Sequence, residues 1–303
     1  MATLKGQNFR VMGYIGTSLT CLAAATNCSI TLNNNTDNAS TKDDVGLAQK
    51  PVTISKSWQI QVDAMDVSDT AALLAMIKSH IPFLVMWDET ETTDNQTRAL
   101  AAFSRQGMAY ISDATFTFND RENCAKQVTL IGTGKIDAAN GSSATQTSVN
   151  PPASITKGQN IRLFLSSDNT TAPAKVIAAA RQLQLHVSLS MENVTTKDTT
   201  GDWQVQEPTE LSYDITTSAL MRSGEEITSQ VAAQALADVE TIYENGTPVK
   251  WKIANTGGAN NRTASSTIAS GSVVLTQLQL NGQNRANADY QATLTGYGEY
   301  EVA

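Results

Sequence analysis

The sequence is poor in the residues that do chemistry. It has two histidines, His80 and His186, so a His-based catalytic triad or a zinc site has little to draw on. Its three cysteines, Cys21, Cys28 and Cys124, are an odd set with no C-x-x-C spacing and no partner histidine. They read as small apolar residues in a reducing compartment. Aromatic residues are 6% of the chain, too few for a carbohydrate-binding platform, and Trp58, Trp87, Trp203 and Trp251 lie within or beside strand patterns. There is no G-x-x-x-x-G-K-S/T and no G-x-G-x-x-G, and Gly132-Thr-Gly134 ends a strand pattern without opening a helix, which leaves a phosphate cradle unsupported. Asp43-Asp44 and Glu225-Glu226 fall in a loop and a first helical turn, without the apolar neighbours that would raise a carboxyl pKa. The expectation is a protein that is not an enzyme, with no catalytic residue, no metal and no cofactor.

Positive charge is short as well. The 303 residues carry 21 Lys and Arg against 29 Asp and Glu, a net charge of -8. Residues 1 to 154 hold 11 against 14, net -3, and residues 155 to 303 hold 10 against 15, net -5. A balance of one sign in both halves argues against tight adsorption to nucleic acid or an anionic membrane. Lys5 and Arg10, followed by the uncharged run Val11 to Ala25, imitate a secretory signal, and Leu19-Thr20-Cys21 resembles a lipoprotein cleavage site. Gly13, Gly16, Thr17, Ser18 and Thr20 dilute that run well below a membrane span.

What is present is a repeat. Lys157-Gly-Gln-Asn-Ile-Arg-Leu163 echoes Lys5-Gly-Gln-Asn-Phe-Arg-Val11, which makes Lys5 to Val11 the first strand of a domain rather than a signal. Thr41-Lys42-Asp43 returns as Thr196-Lys197-Asp198, and Ser57-Trp-Gln-Ile60 as Ser212-Tyr-Asp-Ile215, both 155 positions on. Gln127-Val-Thr-Leu-Ile-Gly-Thr-Gly134 returns as Gln291-Ala-Thr-Leu-Thr-Gly-Tyr-Gly298, now 164 on. Order is kept throughout, so the chain divides into residues 1–137, a linker of small residues and proline at 138–154, and a second copy at 155–303.

Copy one predicts strands at Asn8 to Ile15 and Cys28 to Leu32, then a polar loop, Asn33 to Gln49. Val52, Ile54, Trp58, Ile60 and Val62 alternate along a long strand. Asp66 or Ser68 caps a helix that runs to His80, facing Leu73, Leu74, Ile77 and Ile81 to the core, and Pro82 ends it. Phe83 to Trp87, an alternation of Met108, Tyr110, Ala114, Phe116 and Phe118, and Lys126 to Ile136 complete the copy. In copy two, Leu183 to Met191 predicts a strand with His186 on the solvent side, and Asn193 to Glu207 corresponds to the polar loop. Leu211 to Ile215 repeats the long strand, and Val249 to Ile253, Val273 to Leu280 and Ala288 to Val302 follow. A capping box at Ser223 and Glu226 opens a helix to Glu244, with Ile227, Val231, Ala235, Val239, Ile242 and Tyr243 on its core face. A helix longer than its counterpart accounts for the change of offset from 155 to 164.

Several of these motifs, in this order, resemble the major tail tube proteins of long-tailed bacteriophages: Ser40-Thr-Lys-Asp43, Lys56-Ser-Trp-Gln-Ile-Gln-Val62, Gly107-Met-Ala-Tyr-Ile-Ser112 and Val128-Thr-Leu-Ile-Gly-Thr-Gly134. Copy two carries Thr195-Thr-Lys-Asp198, Gly201-Asp-Trp203 and Glu210-Leu-Ser-Tyr-Asp-Ile215; Gly296-Tyr-Gly298 departs at its middle residue, and Gly271 to Leu275 has no Gly-x-Ala-Tyr-Ile. The resemblance implies a mainly β fold, a β-sandwich or partly closed barrel with one flanking helix, here as two tandem copies. It implies domains that form six-fold rings, whose inner sheets join into a continuous barrel and whose stacked rings conduct DNA.

In such proteins the long loop reaches a neighbouring subunit or ring, which makes Thr41, Lys42 and Asp43, with Thr196, Lys197 and Asp198, the candidate contacts. Asp63 and Asp214 are candidate acidic residues of the lumen. Three tandem chains can replace six single-domain subunits, giving a trimeric ring with pseudo-six-fold symmetry. The implied partners are further copies of the chain, other tail proteins such as the tape measure, terminator, baseplate or tip, and DNA in passage without specific binding. The implied location is the virion tail, after synthesis in the host cytoplasm. A tube protein of a contractile or type VI secretion-like system, and a secreted two-domain β-sandwich binding module, are the alternatives.

Overall fold

The computed structural model describes residues 6, 9–15, 18–21, 25–43, 49–65, 69–89, 105–138, 156–177, 179–199, 201–221, 233–257 and 262–303. The first copy comprises β1 (Phe9–Ile15), β2 (Ser18–Cys21), β3 (Ala25–Asn38), β4 (Pro51–Ala64), α1 (Thr70–Ser79), β5 (Phe83–Glu89), β6 (Arg105–Asn119) and β7 (Ala125–Ala138). After a 3-10 turn at Gly158–Asn160 come β8 (Ile161–Leu165), β9 (Lys175–Ile177), β10 (Ala180–Asn193), β11 (Gln206–Leu220), β12 (Ala233–Gln234) and α2 (Leu236–Asn245). The chain closes with β13 (Val249–Asn255), β14 (Ser266–Asn281), β15 (Asp289–Gly296) and β16 (Glu301–Val302). Among the described residues the fold is mainly β with one α-helix per copy, as the sequence pattern and the resemblance imply.

Both copies pair in one order. Copy one runs β1-β5-β6-β7-β4-β3, and copy two runs β8-β13-β14-β15-β11-β10, every pair antiparallel. The two are stitched together because β10 also pairs with β6. In each copy the strand after the helix brings an aromatic residue against one on a strand with which it does not pair. Trp58 on β4 and Trp87 on β5 are not on neighbouring strands, yet their rings sit 5.2 Å apart across the core. At offsets of 155 and 164 the same pair recurs as Tyr213 and Trp251, 5.8 Å apart. The glycines that admit these rings recur too. A Cβ on Gly132 would lie 2.0 Å from the Trp58 ring, and one on Gly296 would lie 2.6 Å from the Tyr213 ring. Glycine is needed there for space.

The core is continuous across the repeat. Trp58, Phe116, Leu185, Ile215 and Leu294 belong to one cluster of buried residues. The last residues of the chain reinforce it: Tyr300 Oη donates to the carbonyl of Leu74 on α1 at 2.7 Å, and Lys78 Nζ donates to the carbonyl of Tyr300 at 2.9 Å.

Several expectations need correction. Asn33 to Asn38 is strand, not loop, because its backbone continues the β3·β4 ladder and Asn34 and Asn35 donate to Thr53 Oγ1 and Ser55 Oγ. The described residues between β3 and β4 are therefore 39–43 and 49–50. The alternation on β6 is broken by register shifts at Gln106/Met108 and Ile111/Asp113, so Gly107, Ala109 and Ile111 face the core before Ala114, Phe116 and Phe118 do. Met108 is turned outward. Ile81 is 66% exposed because His80, at φ 54°, ends the helix in the left-handed region and swings the chain away. Asp69 takes the N-cap position of α1, and Asp66 and Ser68 lie outside the described residues.

The helix α2 is not longer than α1; both have 10 residues, and the additional residues lie ahead of α2, between Leu220 and Leu236. Strand β12, itself unforeseen, occupies part of that interval, and the Ser223 and Glu226 capping box, with Ile227 and Val231 after it, lies outside the described residues. Val239 and Ile242 are buried as expected, but Tyr243 is exposed. The run Ala288 to Val302 is divided into β15 and β16.

Candidate assembly surface

Eight strands form one continuous antiparallel ladder: β3-β4-β7-β6-β10-β11-β15-β14. Four come from each copy. Alternation puts one face of this ladder on the core and the other in solvent. Over residues 27–33, 57–63, 125–131, 113–119, 182–188, 212–218, 289–295 and 277–281, the solvent face is built from Asn, Gln, Ser and Thr, with Ala125 and Ile131 as its apolar members. Its charged members are Asp63, Asp113, Asp214, Asp289 and His186; neither Lys nor Arg occurs on it. The acidic candidates Asp63 and Asp214 thus both stand on this face. Asp63 accepts from Gln127 Nε2 at 2.9 Å and from Asn27 Nδ2 at 3.3 Å.

His186 sits on the same face at the β6·β10·β11 junction. Its Nδ1 lies 2.8 Å from Asp214 Oδ1 and its Nε2 lies 2.7 Å from Asp113 Oδ2. Partial burial pulls its pKa down, but hydrogen bonds and charge from the two carboxylates outweigh that and leave it raised. The sequence placed His186 on the solvent side correctly and missed the pairing, because Asp113 is brought opposite it only by the join between the copies.

The loop of copy two docks on copy one. Lys56 N donates to Asp202 O at 2.6 Å, Gln204 N donates to Lys56 O at 2.9 Å, and Gly134 N donates to Gln204 O at 2.8 Å. Lys56 Nζ pairs with Asp202 at 3.3 Å and lies 6.0 Å from the centre of the Trp203 ring. Thr196, Lys197 and Asp198 are exposed at the turn of this loop, where Thr196 N donates to Thr199 Oγ1 and Asp198 N donates to Thr196 Oγ1. Docking within the chain is therefore made by residues 202–206, a few positions after the motif. Thr41, Lys42 and Asp43 are likewise exposed in the copy-one loop. The loop's composition, with Trp203 in a polar stretch, is the signal that could have found the docking residues.

The two outer strands of the ladder are unlike its inner ones. Among the described residues no strand pairs with the outer edge of β3, or with that of β14 at residues 277–281. Leu32 on β3 is 54% exposed and Leu280 on β14 is 50% exposed.

Among the described residues, no cluster of His, Cys, Asp or Glu could hold a metal ion, and no helix is long and apolar enough to cross a membrane. The free Cys124 is buried, which pushes its thiol up to about 12 and keeps it unreactive.

Residues 155–302 match the family model described as phage tail tube protein, so copy two carries that family's sequence pattern. No curated protein matches the chain. Similar solved structures include the tail of an empty GTA particle with C6 symmetry, at 13% identity and TM-score 0.38, covering 49% of this chain and 98% of that one. A virion of a native gene transfer agent particle is similar at 12% identity and TM-score 0.35, over 49% and 98%. The SPP1 tail tube is similar at 14% identity and TM-score 0.34, over 48% and 78%.

Proposed function

We propose that this chain, whose second half matches the phage tail tube family, is a structural protein of the virion tail that assembles into stacked rings enclosing a channel for DNA. The observation that carries the reading is the β6·β10 seam, which fuses two equivalent four-stranded sheets into one eight-stranded ladder with an open edge at each end. A sheet with two open, apolar edges is a liability for a protein that stays monomeric. It is a requirement for one that closes with its own copies.

Residues 1–137 and 155–303 act as two tube domains joined by the linker 138–154, so that three chains make a ring with pseudo-six-fold symmetry. The solvent face of the ladder lines the channel. Asp63 and Asp214, without a Lys or Arg on that face, leave DNA unbound, where a basic wall would hold it through released counterions. Repulsion from so few carboxylates reaches only about 8 Å at physiological salt, so the channel stays passable. The loop tips at Thr41, Lys42 and Asp43, and at Thr196, Lys197 and Asp198, contact the neighbouring ring. Other tail proteins bind the ends of the stack, and the chain is made in the host cytoplasm before assembly.

Negative-stain electron microscopy of the purified, concentrated chain tests this reading. Rings or hollow tubes are expected; particles that stay monomeric at all concentrations, with or without tail extract, would contradict it.

A further inference from the structure

The seam inside one chain is a template for the contact between chains. At offset 155, β10 corresponds to β3: Leu183, Leu185 and Val187 stand where Cys28, Ile30 and Leu32 stand. At offset 164, β6 corresponds to β14: Ala114 and Phe116 stand where Leu278 and Leu280 stand. Inside the chain Leu185 faces Phe116 and Val187 faces Ala114, and all four side chains are buried. Their counterparts on the outer edges are half-buried or exposed. Apolar residues have been kept at the edges in the same alternation that is fully covered at the seam. Neither Asn27 to Asn33 nor Gln277 to Asn281 contains a Lys, Glu or Pro that would blunt an edge.

Resting on the ring reading above, we infer that β3 of one chain pairs antiparallel with β14 of a second copy in the seam's own register, Ile30 opposite Leu280, Thr31 opposite Gln279 and Leu32 opposite Leu278. A one-residue slip would turn every apolar member to the polar face, so the register is tightly specified. The loop contact obeys the same operation. Gly134, whose N–H donates to Gln204 O, has φ +75°, and its counterpart Gly298 has φ +74°. Gln204 corresponds to Gln49, which places the Gln49 carbonyl against the Gly298 N–H of the second copy. Tyr297 beside it is 56% exposed and would be covered there.

The two kinds of seam differ in charge. Asp113, His186 and Asp214 inside the chain correspond to Gln277, Thr31 and Gln59 between chains. A closed ring therefore alternates charged and neutral junctions.

Directed cross-linking reads the register. Thr31→Cys with Gln279→Cys, in a Cys28→Ser background, places two thiols opposite each other on the exposed polar face, within the Cα separation a disulfide requires of about 4.4–6.8 Å. Oxidation of the assembled protein is expected to give a covalent ladder that stops at three chains. Thr31→Cys with Gln277→Cys, two residues out of register, is expected to stay uncross-linked. Linkage of the second pair instead would overturn the register and keep the rings. Rings seen by microscopy with neither pair linked would overturn the edge pairing alone. A ladder that continues to six would support the register and contradict three-chain closure. Neither rings nor linkage would overturn both readings.

Discussion

At the scale of single residues, the repeat is held by a ring lying on a glycine. The Trp58 indole occupies the space a Cβ would take on Gly132, and its Nε1 donates to Gly134 O at 3.1 Å. Gly132→Ala has no room to relax except by moving the fully buried Trp58 ring. The expected cost is about 3 kcal/mol, within the range of overpacked core sites, and Trp58→Ala is expected to cost about 3–5 kcal/mol. Urea unfolding of both variants measures this; a midpoint within error of the unsubstituted chain would show that the ring does not depend on the glycine.

His186 gives a second prediction at this scale. Its raised folded-state pKa means that protonation stabilises the fold. That contribution is fully present below the unfolded value of about 6.5 and is lost as pH rises through the higher folded value. The groups facing His186 are Asp113 from β6 and Asp214 from β11. His186→Gln should therefore be less stable than the unsubstituted chain at about pH 6 and comparable to it at about pH 8.5. An equal difference at both pH values would contradict the charged pairing.

At the scale of elements, a buried ion pair ties the first helix to the sheet. Lys126 on β7 is buried and its Nζ bonds Asp69 Oδ1 at the helix start. The corresponding residue of copy two is Tyr290, so the second copy fills the same place with an aromatic ring. Lys126→Ala leaves the Asp69 carboxylate without this partner in a poorly hydrated site, with an expected loss of about 3–5 kcal/mol. Hydrogen exchange is expected to show α1 loosening first, and unchanged protection of α1 would contradict the tether.

The strands and the helix cores were legible in the sequence wherever alternation was strict, as at Trp58 to Val62 and Leu183 to Leu189, because one buried face enforces period two; Val52 and Ile54 continue the apolar alternation of β4 but are exposed. Bulges defeated that logic on β6. A register shift costs one residue of phase and leaves no mark in composition, so alternation assigns Met108 and Tyr110 to the face of Ala114 and Phe116, where the structure has Ala109 and Ile111. The Asn-rich end of β3, Asn33 to Asn38, escaped as strand because its ladder comes from a partner fixed by the rest of the sheet. Of the surface, the repeat and the loop motifs could be read directly. The seam could not, since β6 and β10 are far apart in the chain and nothing in either strand names the other.

At the scale of the whole molecule, one chain is a ladder that begins and ends in exposed leucines. Burying a leucine is worth about 1.5–3 kcal/mol, and Leu32 and Leu280 are each roughly half exposed, so the edges carry a real driving force for association. Leu280→Asp adds a charge that must be desolvated on pairing. It is expected to keep the far-UV circular dichroism of the unsubstituted chain while abolishing rings in the microscope. Tubes of normal appearance from this variant would place the contact elsewhere.

The central claim is that three tandem chains, not six, close each ring. Mass determination of single closed rings, by mass photometry on sheared or capped assemblies, tests it most directly. The expected mass is that of three copies of a 32.3 kDa chain, with image averages that show strong six-fold and weaker three-fold features. A ring of six whole chains would contradict the account.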